Sequence, residues 1–192
     1  MRLYTPANAF LVPDRAERVF EGLIFDVYHW PQKMFDGSTK TFEMIRRPDS
    51  VNIIAVHEEK ILLNKESQPH TGEFIALPAG MHDHEEENEL QAAKRELLEE
   101  TGYQFNDWKL IATEVQSKKI EQISYIFLAT NLKSIKPQNL DKDGEKIEVT
   151  LLTFAELQAT KNDPLMRFYP NQVLDQLSSL EELLNLPAVF NY

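Results

Sequence analysis

Three glutamates near the middle of the chain are spaced so that they would share one face of a helix. Glu96, Glu99 and Glu100 stand at positions i, i+3 and i+4, where helical side chains have Cβ atoms about 5–6 Å apart. Carboxylates this close repel one another. Gly102 predicts that the helix ends just after them, so they also lie at the negative end of the helix dipole. A divalent cation would remove both penalties. Oxygen ligands in a chain without cysteine favour Mg²⁺, with Mn²⁺ as a substitute.

A basic residue accompanies these acids. Arg95 stands four residues before Glu99, so the two can pair along the helix. The pair is either ordinary surface charge pairing or a device that holds the Glu99 carboxylate in its working rotamer. For an arbitrary pair of glutamates, a solvated helix face is the simpler explanation. We favour a metal site here, because the three carboxylates are unfavourably placed in two separate ways.

The same segment resembles the Nudix box, whose pattern is G-x5-E-x7-R-E-U-x-E-E-x-G-U, with U a bulky aliphatic residue. Residues 95–103 match its second half, except that Tyr103 fills the last U position. The preceding Leu-Pro-Ala-Gly at residues 77–80 resembles the strand-to-loop transition of that family. The resemblance implies a Nudix hydrolase, an enzyme that cleaves a diphosphate bond with the help of Mg²⁺.

The loop of the box departs from the family spacing by one residue. Counting back from Arg95 selects Glu87 as the box glutamate, whereas counting forward from Gly80 selects Glu86. The loop therefore carries an insertion relative to the pattern. We assign Glu87, because the helix sets its distance from Arg95 and the loop can absorb the extra residue.

The resemblance also implies which residues would hold the metal. Glu96 and Glu100 match the principal ligands, Glu99 assists them, and the backbone carbonyl of Ala79 would be a further ligand. In this family the ions neutralise and orient the phosphates and lower the pKa of an attacking water.

A general base is also required near that water. In the ADP-ribose pyrophosphatases that this chain resembles, the base is a glutamate in a late acidic loop before a strand. Glu145 is the first candidate in this chain and Asp143 the second. The alternative is that this loop is an ordinary polar turn built on Asp143 and Gly144.

The wider layout resembles the ADP-ribose and nucleotide-sugar branch of the family, whose members are typically homodimers. Arg46 or Arg47 could contact a phosphate or ribose of the substrate, since a guanidinium offers bidentate donors. Trp30 could stack on a nucleobase, with core or dimer packing as the alternative. Ser67 and Ala76 replace an Arg and a Glu that are common in ADP-ribose pyrophosphatases. The expected substrate is therefore an ADP-ribose-like nucleotide sugar, with GDP-mannose equally open.

Other classes of protein fit less well. A non-catalytic Nudix-fold sensor usually has degraded box glutamates, and an isopentenyl-diphosphate isomerase would need a catalytic cysteine, which this chain lacks.

A formal net charge of −11, from 31 acidic and 20 basic residues, opposes a nucleic-acid partner. The chain shows neither a signal-peptide pattern nor an apolar stretch long enough to cross a bilayer, so we expect a cytoplasmic protein without a membrane partner.

The hydrophobic pattern predicts the elements that would position the site. We expect residues 1–48 to form an N-terminal arm and a β-hairpin that dimerises. Residues 49–192 should form the Nudix hydrolase domain. Apolar spacing predicts helices at 88–101, 154–160 and 171–184. Strands are predicted at 19–30, 41–46, 51–56, 61–63, 74–77, 108–115, 123–129 and 147–152. Helices that interrupt a run of strands favour an α+β fold, a Nudix-type α-β-α sandwich around a mixed sheet.

Overall fold

A computed structural model describes residues 1–140, 144 and 146–192. Its described residues form a mixed sheet of ten strands in the order β1-β2-β3-β9-β4-β5-β10, with β6 paired to β5, β7 to β4 and β8 to β9. The strands are β1 (Glu17–Phe20), β2 (Asp26–Lys33), β3 (Thr39–Arg46), β4 (Asp49–His57), β5 (Lys60–Gln68), β6 (Gly72–Ala76), β7 (Ala79–His82), β8 (Tyr103–Ser117), β9 (Ile120–Ile135) and β10 (Lys146–Leu152). The helices are α1 (Glu89–Thr101), α2 (Phe154–Ala159), α3 (Asn171–Leu174) and α4 (Leu180–Leu184), with a 3-10 turn at Thr160–Asn162.

Helices cover both faces of the sheet, which confirms the predicted α+β sandwich. On β4, Val51 and Ile53 point into a core that contains Leu97 of α1. The next residue, Ile54, points into a second core that contains Leu157 of α2 and residues of α3 and α4. A strand that is buried on both faces needs a nearly continuous apolar run. Strand β9 pairs in parallel with both β3 and β4 and antiparallel with β8, so the sheet is mixed.

Helix α1 confirms the prediction for residues 88–101. Asn88 caps its first turn, accepting from the Gln91 amide at 2.9 Å, while the Gln91 side chain accepts from the Asn88 amide at 2.8 Å. Gly102 ends the helix with a φ of 77°, a conformation that glycine adopts without steric cost. A Cβ at this position would also overlap the carbonyl oxygen of Lys136. Both ends of the helix that carries the glutamates are therefore defined by local chemistry.

The prediction of one strand across 19–30 is wrong. The chain bends between β1 and β2, where Gly22 lies so close to the Phe25 carbonyl that a Cβ would overlap it. The Gly22 amide also donates to the Asp26 carboxylate at 3.3 Å. This bend produces a third strand, so the predicted hairpin is a three-stranded antiparallel unit, β1-β2-β3. Through the parallel contact of β3 with β9, this unit continues the main sheet.

The prediction of one helix across 171–184 is also wrong. Two short helices, α3 and α4, replace it. The Ser179 hydroxyl caps the Glu182 amide at 3.2 Å, and the Glu182 carboxylate accepts from the Ser178 amide at 2.7 Å. These side-chain bonds begin a new helix at Ser179 in place of continuing the first. In the part of the chain that the structure describes, no helix has the length and apolar character required to cross a membrane.

Candidate active site

Arg95 on α1 is the centre of a network of carboxylates. Its Nη2 and Nε atoms bind the two carboxylate oxygens of Glu87 at 2.7 and 3.1 Å. Its Nη1 atom donates to Glu96 at 2.8 Å and to Glu99 at 3.2 Å. A bidentate guanidinium–carboxylate pair is directional and strong. The geometry therefore favours Glu87 over the exposed Glu86 as the glutamate of the box loop.

Glu100 is held from the other side of the site, by residues of the sheet. Its Oε2 atom accepts from the Asn64 side chain on β5 at 2.9 Å and from the Ala79 amide on β7 at 3.0 Å. The Glu100 side chain is buried, with 7% of the residue exposed. The backbone carbonyl of Ala79 is the group expected to bind the metal. The backbone amide of the same residue orients Glu100.

Glu96 lies in a confined position beside Gly80. A Cβ at Gly80 would overlap the Glu96 carboxylate, so any larger residue at position 80 would displace that side chain. Burial raises the pKa of Glu96 to about 7, and the Arg95 guanidinium offsets this only in part. The neighbouring charges of Glu99 and Asp83 contribute to this raised pKa. A carboxyl group that burial disfavours as an anion is well suited to a cation partner.

The residues at this site fit a hard divalent cation. Carboxylates from α1 and the backbone of Ala79 supply oxygen donors, which suit Mg²⁺ or Mn²⁺. Within residues 1–140, 144 and 146–192, no three acidic or histidine side chains converge closely enough to hold one ion. Arg95 bonds one carboxylate oxygen each of Glu96 and Glu99, while Asn64 and Ala79 bond one oxygen of Glu100. A carboxylate has two acceptor oxygens, so these bonds are compatible with a further partner.

The network opens into a cleft of about 960 Å³. Gly80, Glu96 and Glu100 line it together with Arg47, one of the two arginines proposed to contact substrate. The cleft can therefore bring a bound molecule against the carboxylates of α1.

The structure places Arg46 elsewhere. Its guanidinium lies in an adjacent cleft of about 560 Å³, where it binds Glu121 at 3.0 Å and the Tyr28 hydroxyl at 3.1 Å. It also stacks over the Tyr28 ring, 4.6 Å from the centroid. Arg47 lines both clefts, and of the two arginines it is the one that lines the cleft with Glu96 and Glu100.

Trp30 does not line either of these clefts. It is 7% exposed and packs with Val12 and Met44 in a small core of the N-terminal unit, which consists of the N-terminal arm and strands β1, β2 and β3. Its indole N–H donates to Gln32 at 3.1 Å. Within one chain, these contacts match core packing, which was the alternative to stacking on a nucleobase. The two candidates for the general base, Glu145 and Asp143, lie outside the described residues.

Sequence reasoning missed several polar residues of the cleft and of the network behind it. The sequence contained a weak signal for Asn64, because a polar amide side chain directly follows the apolar run Ile-Leu-Leu at residues 61–63. Asn52 and Ser124, bonded to each other at 2.8 Å, form part of the cleft wall, but they are 72 residues apart. Phe74 and Arg167 also line the cleft and stack on each other. No local pattern connects such distant residues.

Comparisons with known proteins identify the family of the chain. The model of the NUDIX domain matches residues 46–172. An ADP-ribose pyrophosphatase of Bacillus subtilis (strain 168) is 33% identical over 141 residues, which cover 70% of this chain and 76% of that protein. A methanol dehydrogenase activator of Bacillus methanolicus is 28% identical over 144 residues, covering 71% of this chain and 77% of that one.

Solved structures show the same fold. The chain in a structure described as the crystal structure of an ADP compounds hydrolase superposes with a TM-score of 0.69 at 20% sequence identity. The superposition covers 88% of this chain and 91% of the other. The match of the family model, the relative at 33% identity and the intact helix of carboxylates lead to one conclusion. The chain belongs to the NUDIX family and is a Nudix hydrolase.

Proposed function

We propose that this protein hydrolyses the diphosphate bond of a nucleoside diphosphate sugar in a Mg²⁺-dependent reaction, releasing a nucleoside monophosphate and a sugar phosphate. The observation that carries the proposal is the network around Arg95, which brings Glu87, Glu96 and Glu99 together at the edge of a cleft that also contains Glu100. The relative named as an ADP-ribose pyrophosphatase supports ADP-ribose as the first substrate to test. GDP-mannose is the second.

Each residue of the network has a proposed task. Glu96 and Glu100 are the principal metal ligands, Glu99 assists, and the Ala79 carbonyl completes the protein's share of the donors. Arg95 positions the carboxylates before the metal binds. When bound, Mg²⁺ supplies positive charge to the phosphates and lowers the pKa of a coordinated water.

The remaining tasks are proton removal and substrate binding. We assign proton removal to Glu145 first and to Asp143 second, with Glu99 on α1 as the further alternative. Arg47 binds a phosphate oxygen, since it faces the cleft and its guanidinium is supported by the Phe25 ring at 5.4 Å.

The N-terminal unit is proposed to form the contact of a homodimer. Its bend exposes a cluster of large apolar side chains that a single chain leaves in water. They are Val19, Phe20, Leu23, Ile24 and Phe25. A three-stranded unit with so small a core of its own gains stability when a second copy covers this cluster. We expect the dimer to work in the cytoplasm on a small-molecule substrate.

A panel of nucleotide sugars tests the proposed reaction. Each compound is incubated with the protein and Mg²⁺, and a phosphatase that acts only on monoesters reports the released monophosphates. We expect ADP-ribose or GDP-mannose to be hydrolysed, with no turnover in the presence of a chelator. If Mg²⁺ changes nothing, or if no compound with a diphosphate bond is cleaved, the proposal is wrong.

Glu100→Gln is the matched variant for this assay. The amide keeps the shape of the side chain but removes a charged metal ligand. Since loss of an outer-shell partner alone typically costs about 10–100-fold, loss of the ligand should lower turnover by at least about 100-fold. Circular dichroism should show an intact fold. Near-normal activity of this variant would exclude Glu100 as a ligand.

A further inference from the structure

Two arginines of the cleft stack on aromatic rings. The Arg47 guanidinium lies 5.4 Å from the centroid of Phe25, and that of Arg167 lies 4.7 Å from the centroid of Phe74. The ion pairs found among the described residues engage other basic side chains. The charges of these two arginines are therefore not neutralised by a carboxylate of the described chain, and both face the cleft that contains Glu96.

The backbone holds Arg167 in place, although the residue belongs to an irregular segment. Its amide donates to the Ile75 carbonyl at 2.9 Å, and the Ile75 amide donates to the Leu165 carbonyl at 2.8 Å. Between them, Met166 forms a parallel bridge with Ile75. The segment is thus fixed to β6, the strand that leads directly into the Nudix box, and Arg167 enters the cleft from this side.

The stacking on Phe74 determines how the guanidinium is presented. The ring is 8% exposed, so it is itself held by the protein. Stacking occupies one face of the guanidinium, whereas its N–H donors lie in the plane of the group and stay available at its edge. A guanidinium that is fixed in this way loses little side-chain entropy when it binds, and it can offer two parallel hydrogen bonds to a phosphate.

The acidic lining of the cleft determines what an anionic ligand would need in order to bind there. Carboxylates of Glu66, Asp83, Glu96 and Glu100 line the cleft and would repel a diphosphate unless cations balance them. Arg95 is committed to Glu87, Glu96 and Glu99. Arg47 and Arg167 are the arginines that lie in the cleft without such a commitment among the described residues.

We propose that Arg167, supported by Phe74, is a substrate-binding residue that donates to a phosphate oxygen from the β6 side of the cleft, and so selects substrates that carry a diphosphate. This inference rests on the proposed function, because it assumes that the substrate enters the cleft beside Glu96 and Glu100. Arg47 then binds the same group from the side of the N-terminal unit.

Binding measurements test the assignment without turnover. Isothermal titration of the Mg²⁺-loaded protein uses inorganic pyrophosphate, AMP and adenosine as probes. Because a hydrogen bond to a charged group contributes about 1.5–3 kcal/mol, Arg167→Ala should weaken binding of pyrophosphate and AMP by about tenfold or more. Binding of adenosine, which has no phosphate, should not change. The KM for ADP-ribose should rise by a similar factor, while Mn²⁺ affinity without substrate stays the same.

Three variants separate a phosphate contact from other effects. Arg15→Ala removes the same charge from an exposed position that bonds to Gln32 in the N-terminal unit, and it should bind pyrophosphate like the wild type. Arg167→Lys keeps the charge without the planar fork and should fall between wild type and Arg167→Ala. Phe74→Leu should weaken pyrophosphate binding in part, with its melting temperature measured to establish that the fold persists.

Two results would overturn the assignment. One is that Arg167→Ala binds pyrophosphate as tightly as Arg15→Ala does. The other is that Arg167→Ala loses adenosine as strongly as AMP, which would show that the residue acts on the nucleoside. A wild-type protein that hydrolyses no nucleotide sugar would contradict the proposed function alone, since the pyrophosphate titration would still report on Arg167.

Discussion

The amide of Asn64 donates to the Glu100 carboxylate at 2.9 Å from a position on β5 that is completely buried. Among the described residues, its own Oδ1 atom has no hydrogen-bond partner. A buried acceptor without a partner costs free energy, so the side chain is poorly suited to stabilising the core. Its position is explained by the orientation that it imposes on Glu100.

Asn64→Leu, which has nearly the same shape, should therefore weaken Mn²⁺ binding and kcat by about tenfold or more, as expected for a partner that orients a metal ligand. The fold should persist, because the substitution removes the unsatisfied acceptor. Paramagnetic resonance of Mn²⁺ and thermal unfolding in a chelator measure the two effects. Asn106→Leu, at an exposed position of β8, is the control for the substitution itself. Unchanged Mn²⁺ affinity in Asn64→Leu would show that Ala79 alone suffices to orient Glu100.

The raised pKa of Glu96 predicts a pH dependence for the metal-free protein. Burial raises this pKa from 4.5 to about 7, so between these values the folded chain retains a proton that the unfolded chain releases. The stability contributed by that proton is present below about pH 4.5 and is lost as the pH rises through about 7. In a chelator, Glu96→Gln should therefore unfold at a higher temperature than the wild type at pH 8, and the difference should shrink toward pH 5. A difference that does not vary with pH would contradict this origin.

The two candidates for the general base are distinguished by substitution. Loss of a general base typically lowers the rate by about 10²–10⁴. We expect Glu145→Gln to lower kcat by this factor with little change in KM or Mg²⁺ affinity, and Asp143→Asn to have a much smaller effect. Steady-state kinetics at several Mg²⁺ concentrations provide the measurement. The opposite ranking would assign the role to Asp143, and two small effects would move it to Glu99.

Assembly through the N-terminal unit predicts a charge-sensitive dimer. Leu23 lies in the exposed apolar cluster, whereas the equally exposed Phe35 lies at the turn between β2 and β3. Light scattering at micromolar concentration should show a dimer for the wild type and for Phe35→Glu, but a monomer for Leu23→Glu, because burying a charge in an apolar contact is costly. A wild-type monomer would contradict the expectation, and a dimeric Leu23→Glu would locate the contact elsewhere.

Local spacing was sufficient to predict which glutamates share a helix face. Positions i, i+3 and i+4 on a helix share a face wherever the helix packs, so the common face of Glu96, Glu99 and Glu100 follows from the chain alone. Asn88 and Gly102 define the ends of that helix through bonds and steric limits within a few residues. The order of the predicted elements, with helices that interrupt a run of strands, likewise predicted the α+β sandwich.

Only the tertiary structure decided which other side chains reach the carboxylates. Trp30 and Arg46 have types that suit substrate binding, but Trp30 is packed in a core and Arg46 is bonded to Glu121, 75 residues away. Conversely, Arg167 carries no local signal and Asn64 only a weak one. They reach the site because β5 pairs with β6 beside the box and the Arg167 backbone is bonded to β6. Such contacts depend on strand pairing and side-chain packing between distant segments, and these are determined by the balance of the whole fold.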